Sequence, residues 1–158
     1  MTHPTMTRRS LLVGSAAVTL SAAMPAVATG RPLIHVLKDP NCGCCGAWIE
    51  ILQADGFEVT TETSFGTALS RYKLENGIPA KMASCHTGKI EGYMIEGHVP
   101  AADIRRLLAE RPDAIGLAVP GMPYGSPGMG LEDRREAYDV HLIRRDGSTE
   151  VFTRYDAA

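Results

Sequence analysis

Basic blocks, aromatic–basic stripes, internal repeats and long linkers are all missing from this 158-residue chain. Without clustered Lys and Arg there is no electrostatic footprint for a polyanion, so nucleic acid is not an expected partner. A run long enough to cross a membrane is also lacking. The one extended apolar stretch, Leu11 to Ala23, is too short and too rich in Ala and Ser for a stable transmembrane helix. The Gly-rich segment 116–130 contains neither G-x-G-x-x-G nor G-x-x-x-x-G-K-[ST], so it does not cradle phosphate.

The short apolar stretch has another meaning. It follows a polar start and the twin arginine Arg8-Arg9, and it precedes Ala26-Val27-Ala28, an A-x-A-type cleavage site. Residues 1–28 therefore read as a bacterial export signal of the twin-arginine class, cut near Ala28. The competing reading is an uncleaved N-terminal anchor, which the shortness of the stretch disfavours. Residues 29–158 remain as one domain, long enough to bury most of its apolar surface. Removing two arginines and no acids takes the formal charge from -2 to -4.

Export to the periplasm decides how cysteine is read, because thiols there are expected to be paired, metal-bound or catalytic. Three of the four cysteines lie in "DPNCGCCGAW" (39–48), at Cys42, Cys44 and Cys45; the fourth is Cys85. Two structural disulfides fit poorly. Adjacent Cys44 and Cys45 bridge only with heavy strain, and Cys42–Cys44 closes a very tight ring. Only Cys42–Cys45 is locally comfortable, which leaves Cys44 and Cys85 to each other.

The pattern of the chain places these residues. "PLIHVLKD" (32–39) predicts a buried strand, and Asn41 is the expected N-cap of a helix from about Cys42 with Cys45, Trp48, Ile49 and Leu52 on its apolar face. A strand over 57–63 and a helix over 67–76 follow, with Gly77 as the stop. "KMASCHTGKIEGYMIEGHVP" predicts two short strands around a Thr87-Gly88 turn. A helix then starts with Pro100 at its first position and turns Ile104, Leu107 and Leu108 inward. Segment 116–130 reads as a loop, and the tail as a hairpin about Asp146-Gly147 that completes the sheet.

Strand, helix, strand, helix, hairpin, helix is the order of a thioredoxin-like α/β domain: a central mixed sheet with flanking helices, here extended by the C-terminal β-hairpin. The cysteines sit at its first strand-to-helix junction. There the helix dipole favours thiolate, so Cys42 is expected to have a lowered pKa. That serves redox chemistry and metal binding equally. The other donors separate the two. Cys85 and His86 belong to the segment expected to face that helix terminus, His98 ends the following strand, and Met122 and Met129 lie on the Gly/Pro loop. Thiolate with thioether is the ligand set of Cu(I), whereas zinc has little use for methionine.

The expected metal site is thus Cys42, Cys44, Cys45, Cys85, His86, Met122 and Met129, with His98 a weaker candidate. Trp48, Met82 and Met94 read as packing residues, and His35 and His141 as structural histidines. A thiol–disulfide oxidoreductase using Cys42 and Cys45 is the main alternative, but it leaves Cys44, Cys85 and the methionine loop without a task. A structural zinc module fits least.

Three blocks, "DPNCGCCGAW", "NGIPAKMASCHTGKIEGYMIEGHVP" and "GLAVPGMPYGSPGMG", resemble the CopG-like family of small exported copper-resistance proteins. The resemblance spans about residues 33–130 in the family's order. It implies a thioredoxin-like fold that binds copper through cysteine sulfur as a multinuclear Cu(I) cluster. Cys42, Cys44, Cys45 and Cys85 carry over as the cluster cysteines, and Met122 and Met129 as sulfur groups near it. Copper ions are then the partner, with a periplasmic electron donor or a copper-efflux component beside them. The expected role is sequestration of Cu(I), with copper redox activity as an extension.

Overall fold

The β-branched, apolar run Leu33–Lys38 forms β1, whose Ile34 and Val36 are fully buried. It belongs to a computed structural model that describes residues 30–158. The export signal expected over 1–28 lies outside the described residues. Chain order continues with α1 (Gly43–Ala54), β2 (Glu58–Thr63), α2 (Thr67–Glu75), β3 (His86–Ile90), β4 (Tyr93–Glu96), α3 (Ala101–Glu110) and β5 (Gly116–Ala118). The hairpin β6 (Tyr138–Ile143) and β7 (Thr149–Tyr155) follows. Seven strands make one mixed sheet in the order β2-β1-β3-β4-β5-β6-β7.

Alternation along the strands divides the interior into two layers, because successive side chains leave opposite faces. One face buries Ile34, Val36, Ile95, Leu117 and Leu142 against Trp48, Ile49 and Leu52 of α1 and Ile104 and Leu107 of α3. The neighbours on the other face, Met94, Ala118 and Ile143, meet Ile78, Met82 and Tyr72 beneath α2. Met82 and Met94 are therefore core, as their sequence setting suggests.

Helix α1 buries Cys45, Trp48, Ile49 and Leu52, the predicted face. Its N-cap is Cys42, with no side-chain cap. Asn41 instead donates its backbone N–H to the Asp39 carboxylate at 2.8 Å, while Cys42 N–H reaches the Asp39 carbonyl at 3.2 Å. Asp39 thus makes the turn that launches the helix, which displaces the cap from the expected Asn41. Pro100 is likewise the N-cap of α3 rather than its first helical residue, with φ -60° and ψ 143°.

Two other expectations change. The β3–β4 turn is Glu91-Gly92, with φ of 45° and 90°, and not Thr87-Gly88. A two-residue hairpin turn needs positive φ at both positions, which β-branched Thr resists and Gly accepts. Gly88 is needed inside β3 for space: a Cβ there would lie 2.7 Å from Ile34 Cδ1. The start of segment 116–130 is a strand, β5, parallel to β4 and antiparallel to β6. Its Leu117 and Ala118, and Val119 just beyond it, are fully buried, so an apolar run that reads as loop by its Gly/Pro surroundings is claimed by the sheet. The C-terminal hairpin turns at Gly147 (φ 82°) and completes the sheet as predicted. Among the described residues no helix is long and apolar enough to cross a membrane.

Candidate metal centre

Register brings the donors together. In the antiparallel β1–β3 pair Lys38 stands opposite His86, so the end of β1, which feeds α1 and its cysteines, lies beside Cys85-His86. Opposite Thr87 on β4 is Glu96, so His98, two residues further on, returns to the same end of the sheet. Sulfur atoms of Cys42, Cys44, Cys45 and Cys85 all lie within 4.8 Å of one another. A second group, Cys85, His86 and His98, meets the same limit, and Cys85 belongs to both.

Cys42 and Cys45 are disulfide-bonded in this structure, and Cys44 and Cys85 are free. Paired sulfur does not titrate, so the lowered thiol pKa expected for Cys42 has no counterpart here. Cys44 Sγ stands 3.3 Å from Cys42 Sγ. Cys85 Sγ lies 3.2 Å from His98 Nε2 and 3.3 Å from His86 Nδ1. Burial first, and then neighbouring Cys44, push the Cys85 thiol up to about 11, so it holds its proton at neutral pH until a metal replaces it.

Both imidazoles are fully buried. Burial, with the charges of His98 and Lys73 behind it, drives His86 down to about 3, and burial also lowers His98. They are neutral at physiological pH, the form that binds metal. His98 donates from Nδ1 to the Pro127 carbonyl at 2.8 Å, which turns the Nε2 lone pair toward Cys85. Nε2 of His86 is a buried side-chain nitrogen with no hydrogen-bond partner, and its ring lies 4.3 Å from that of Trp48. Trp48 Nε1 donates to the Val99 carbonyl at 2.8 Å and thereby ties α1 to the segment carrying His98.

The loop after β5 closes over this end. A Cβ on Gly128 would meet Trp48 N at 2.7 Å and Cys44 O at 3.1 Å, so its bare backbone rests on the first turn of α1. With φ of +82°, the position suits glycine twice over. Met129, half-buried, follows it, whereas Met122 is exposed. The loop is tied on its other side by Ser84 Oγ, which donates to the Gly121 carbonyl at 2.6 Å.

The structure thus gathers Cys42, Cys44, Cys45, Cys85 and His86, and sets His98 among them on equal terms. Sequence reading ranks His98 low because only the β3–β4 register brings it back. His35 stands apart on the β1–β2 edge, its Nδ1 at 3.0 Å from Thr60 Oγ1. His141 lies on β6.

Sulfur-rich and imidazole-bearing, this donor set suits a soft or borderline transition metal rather than a hard cation. Comparisons agree with that chemistry. A family described as protein of unknown function, DUF411, matches residues 82–129. No curated protein matches the chain. Two solved structures of the copper resistance protein CopG, form 1 and form 2, are each 50% identical with a TM-score of 0.74. Each alignment covers 79% of this chain and 98% of the solved one. With half of the aligned residues identical over nearly the whole of that protein, this chain belongs to the CopG-like family of copper resistance proteins.

Proposed function

We propose that the chain is a periplasmic protein that captures Cu(I) in a multinuclear thiolate cluster, as part of copper resistance. The observation that carries this reading is the convergence of four cysteine sulfurs within 4.8 Å. Sulfurs that close can bridge ions, and the same set overlaps the imidazole group through Cys85. Residues 1–28 would act as the export signal, and 29–158 as a single thioredoxin-like domain. The element order and the β2-β1-β3-β4 strand order support that fold assignment.

In this reading Cys44 and Cys85 supply thiolate, joined by Cys42 and Cys45 once their disulfide is reduced. His86 presents neutral imidazole, and His98 is oriented toward Cys85 by Pro127. Met122 and Met129 offer thioether on the loop, where they would receive the ion or guard its entry. Copper displaces the proton that burial keeps on Cys85. A periplasmic electron donor or a copper-efflux component would exchange electrons or copper with the site. Sequestration is favoured over catalysis because four sulfurs this close can share bridging ions, and each has a task in a cluster.

Anaerobic, reduced protein should take up more than one Cu(I) per chain in competition with a Cu(I) chelator, and should prefer copper to zinc. Stoichiometric zinc with loss of Cu(I) to a weak chelator overturns the proposal. The Cys42–Cys45 disulfide favours a second reading, thiol–disulfide exchange. In that case Cys44 and Cys85 are dispensable. Strong insulin reduction by the Cys44→Ser, Cys85→Ser double variant would establish it, while collapse of Cu(I) loading in Cys85→Ser alone supports the cluster.

A further inference from the structure

Directly behind the imidazoles, on the face of the sheet turned toward α2, lies a buried ionic network that the copper reading does not use. Glu96 is fully buried. Its Oε1 accepts from Lys73 Nζ at 2.5 Å and from the Ser84 backbone N–H at 2.5 Å. Its Oε2 accepts from Thr87 Oγ1 at 2.6 Å, and that hydroxyl in turn accepts from Lys73 Nζ at 2.7 Å. Burial pushes the Glu96 carboxyl up, yet three donors face its two oxygens, which is the setting of a carboxylate balanced by Lys73.

The two oxygens grip the chain at Ser84 and at Thr87. Between those anchors lie only Cys85 and His86. Ser84 carries the restraint onward through its hydroxyl to Gly121, at the root of the methionine loop. A buried ion pair is a poor device for stability alone, because desolvation offsets most of the attraction. As a clamp across a dipeptide of donors it has a use.

We infer that Glu96, paired with Lys73, is a positioning residue that fixes Cys85 and His86 for metal capture. This rests on the copper reading for the identity of the ligand, but the clamp itself can be tested without metal. Replacing the pair by apolar residues of similar size (Lys73→Met with Glu96→Leu) removes both anchors without leaving a buried charge. Lys73→Met with Glu96→Gln restores an acceptor for Ser84 and a partner for Thr87. Three measurements are made on reduced full-length chain: amide hydrogen exchange of the metal-free form, Cu(I) affinity by chelator competition, and thermal melting.

The Leu variant should exchange the Ser84 and Cys85 amides faster than the rest of the sheet and bind Cu(I) at least about tenfold more weakly. The Gln variant should recover most of both. Thr87→Val, which loses one anchor and nearly no volume, should move the same way by less, and it decides the matter if the Leu variant does not fold. Uniformly faster exchange across the sheet with wild-type affinity would make the network structural and overturn the inference. So would unchanged exchange at Ser84 and Cys85 in Thr87→Val and in the folded Leu variant. A wild-type chain that takes up no Cu(I) overturns the copper reading instead, and the local exchange then judges the clamp alone.

Discussion

Donors reach the site from two directions, and the two sides are built differently. Cys42, Cys44 and Cys45 come within one helical turn of sequence, with Cys42 and Cys44 half-buried at the start of α1 and Cys45 fully buried. Two of these three are joined to each other. Cys85, His86 and His98 come from separate ends of a hairpin, and each is held from outside the site. Glu96 grips the residues flanking Cys85-His86, and Pro127 fixes the His98 ring. The strand side is a wall of buried, neutral nitrogen and half-buried, protonated sulfur. The helix side carries the sulfur whose bonding can change. The two kinds of donor differ in what frees them. The strand-side groups need only lose a proton or offer a lone pair, whereas Cys42 and Cys45 become thiols only after two-electron reduction of their disulfide.

The contrast breaks most severely at Trp48, which joins the two sides. Trp48→Ala should cost about 3–5 kcal/mol, because it empties a fully buried site and cuts the tie to Val99. Chemical denaturation reads the loss. A change below about 1 kcal/mol would mean that α1 docks without it.

Acid should attack the strand side next. Unfolded histidine titrates near 6.5, whereas folded His86 is held down at about 3. Between those values the unfolded chain binds more protons, so stability is complete above pH 6.5 and falls as pH drops toward 3. The metal-free protein should lose on the order of 3 kcal/mol between pH 6.5 and 4. His86→Leu should flatten this limb of the stability curve, and an unchanged slope would remove His86 as its source.

Reduction tests the helix side. Thiol titration of the unfolded chain should count two free groups before reduction, Cys44 and Cys85, and four after it. Opening so short a loop should cost about 2 kcal/mol by chain entropy. Secondary structure should persist, because β1 and the apolar face of α1 do not depend on the bridge.

The smallest effect is expected at the methionine loop. Met122→Leu with Met129→Leu keeps volume and apolarity, so stability should change by less than about 1.5 kcal/mol. Cu(I) loading should slow, and more so at pH 5 than at pH 7, because thioether needs no deprotonation while thiolate does. Unchanged loading at both pH values would reduce the loop to a cover over the wall.

Local physics made much of this molecule legible in its sequence. A β-branched run makes β1, a 3.6-residue apolar period makes the buried face of α1, and an Asp-Gly pair turns the last hairpin. Three cysteines in four positions lie together whatever the remainder of the fold, since neighbours in sequence need no tertiary contact to meet. The Asn41 cap, the Thr87-Gly88 turn and the loop status of 116–118 were decided otherwise. Asp39 supplied the competing turn, Ile34 needed the space at Gly88, and the sheet closed on Leu117 and Ala118. Glu96 and Lys73 carried no local mark at all, and His98 only a weak one. Their value comes from strand register and from the α2 layer behind it, which join residues 13 apart for Cys85 and His98 and 23 apart for Lys73 and Glu96. Sequence alone determined which donors are adjacent along the chain. Only tertiary structure decided which are adjacent in space, because long-range pairing and burial set the protonation, orientation and anchoring of the strand-side donors.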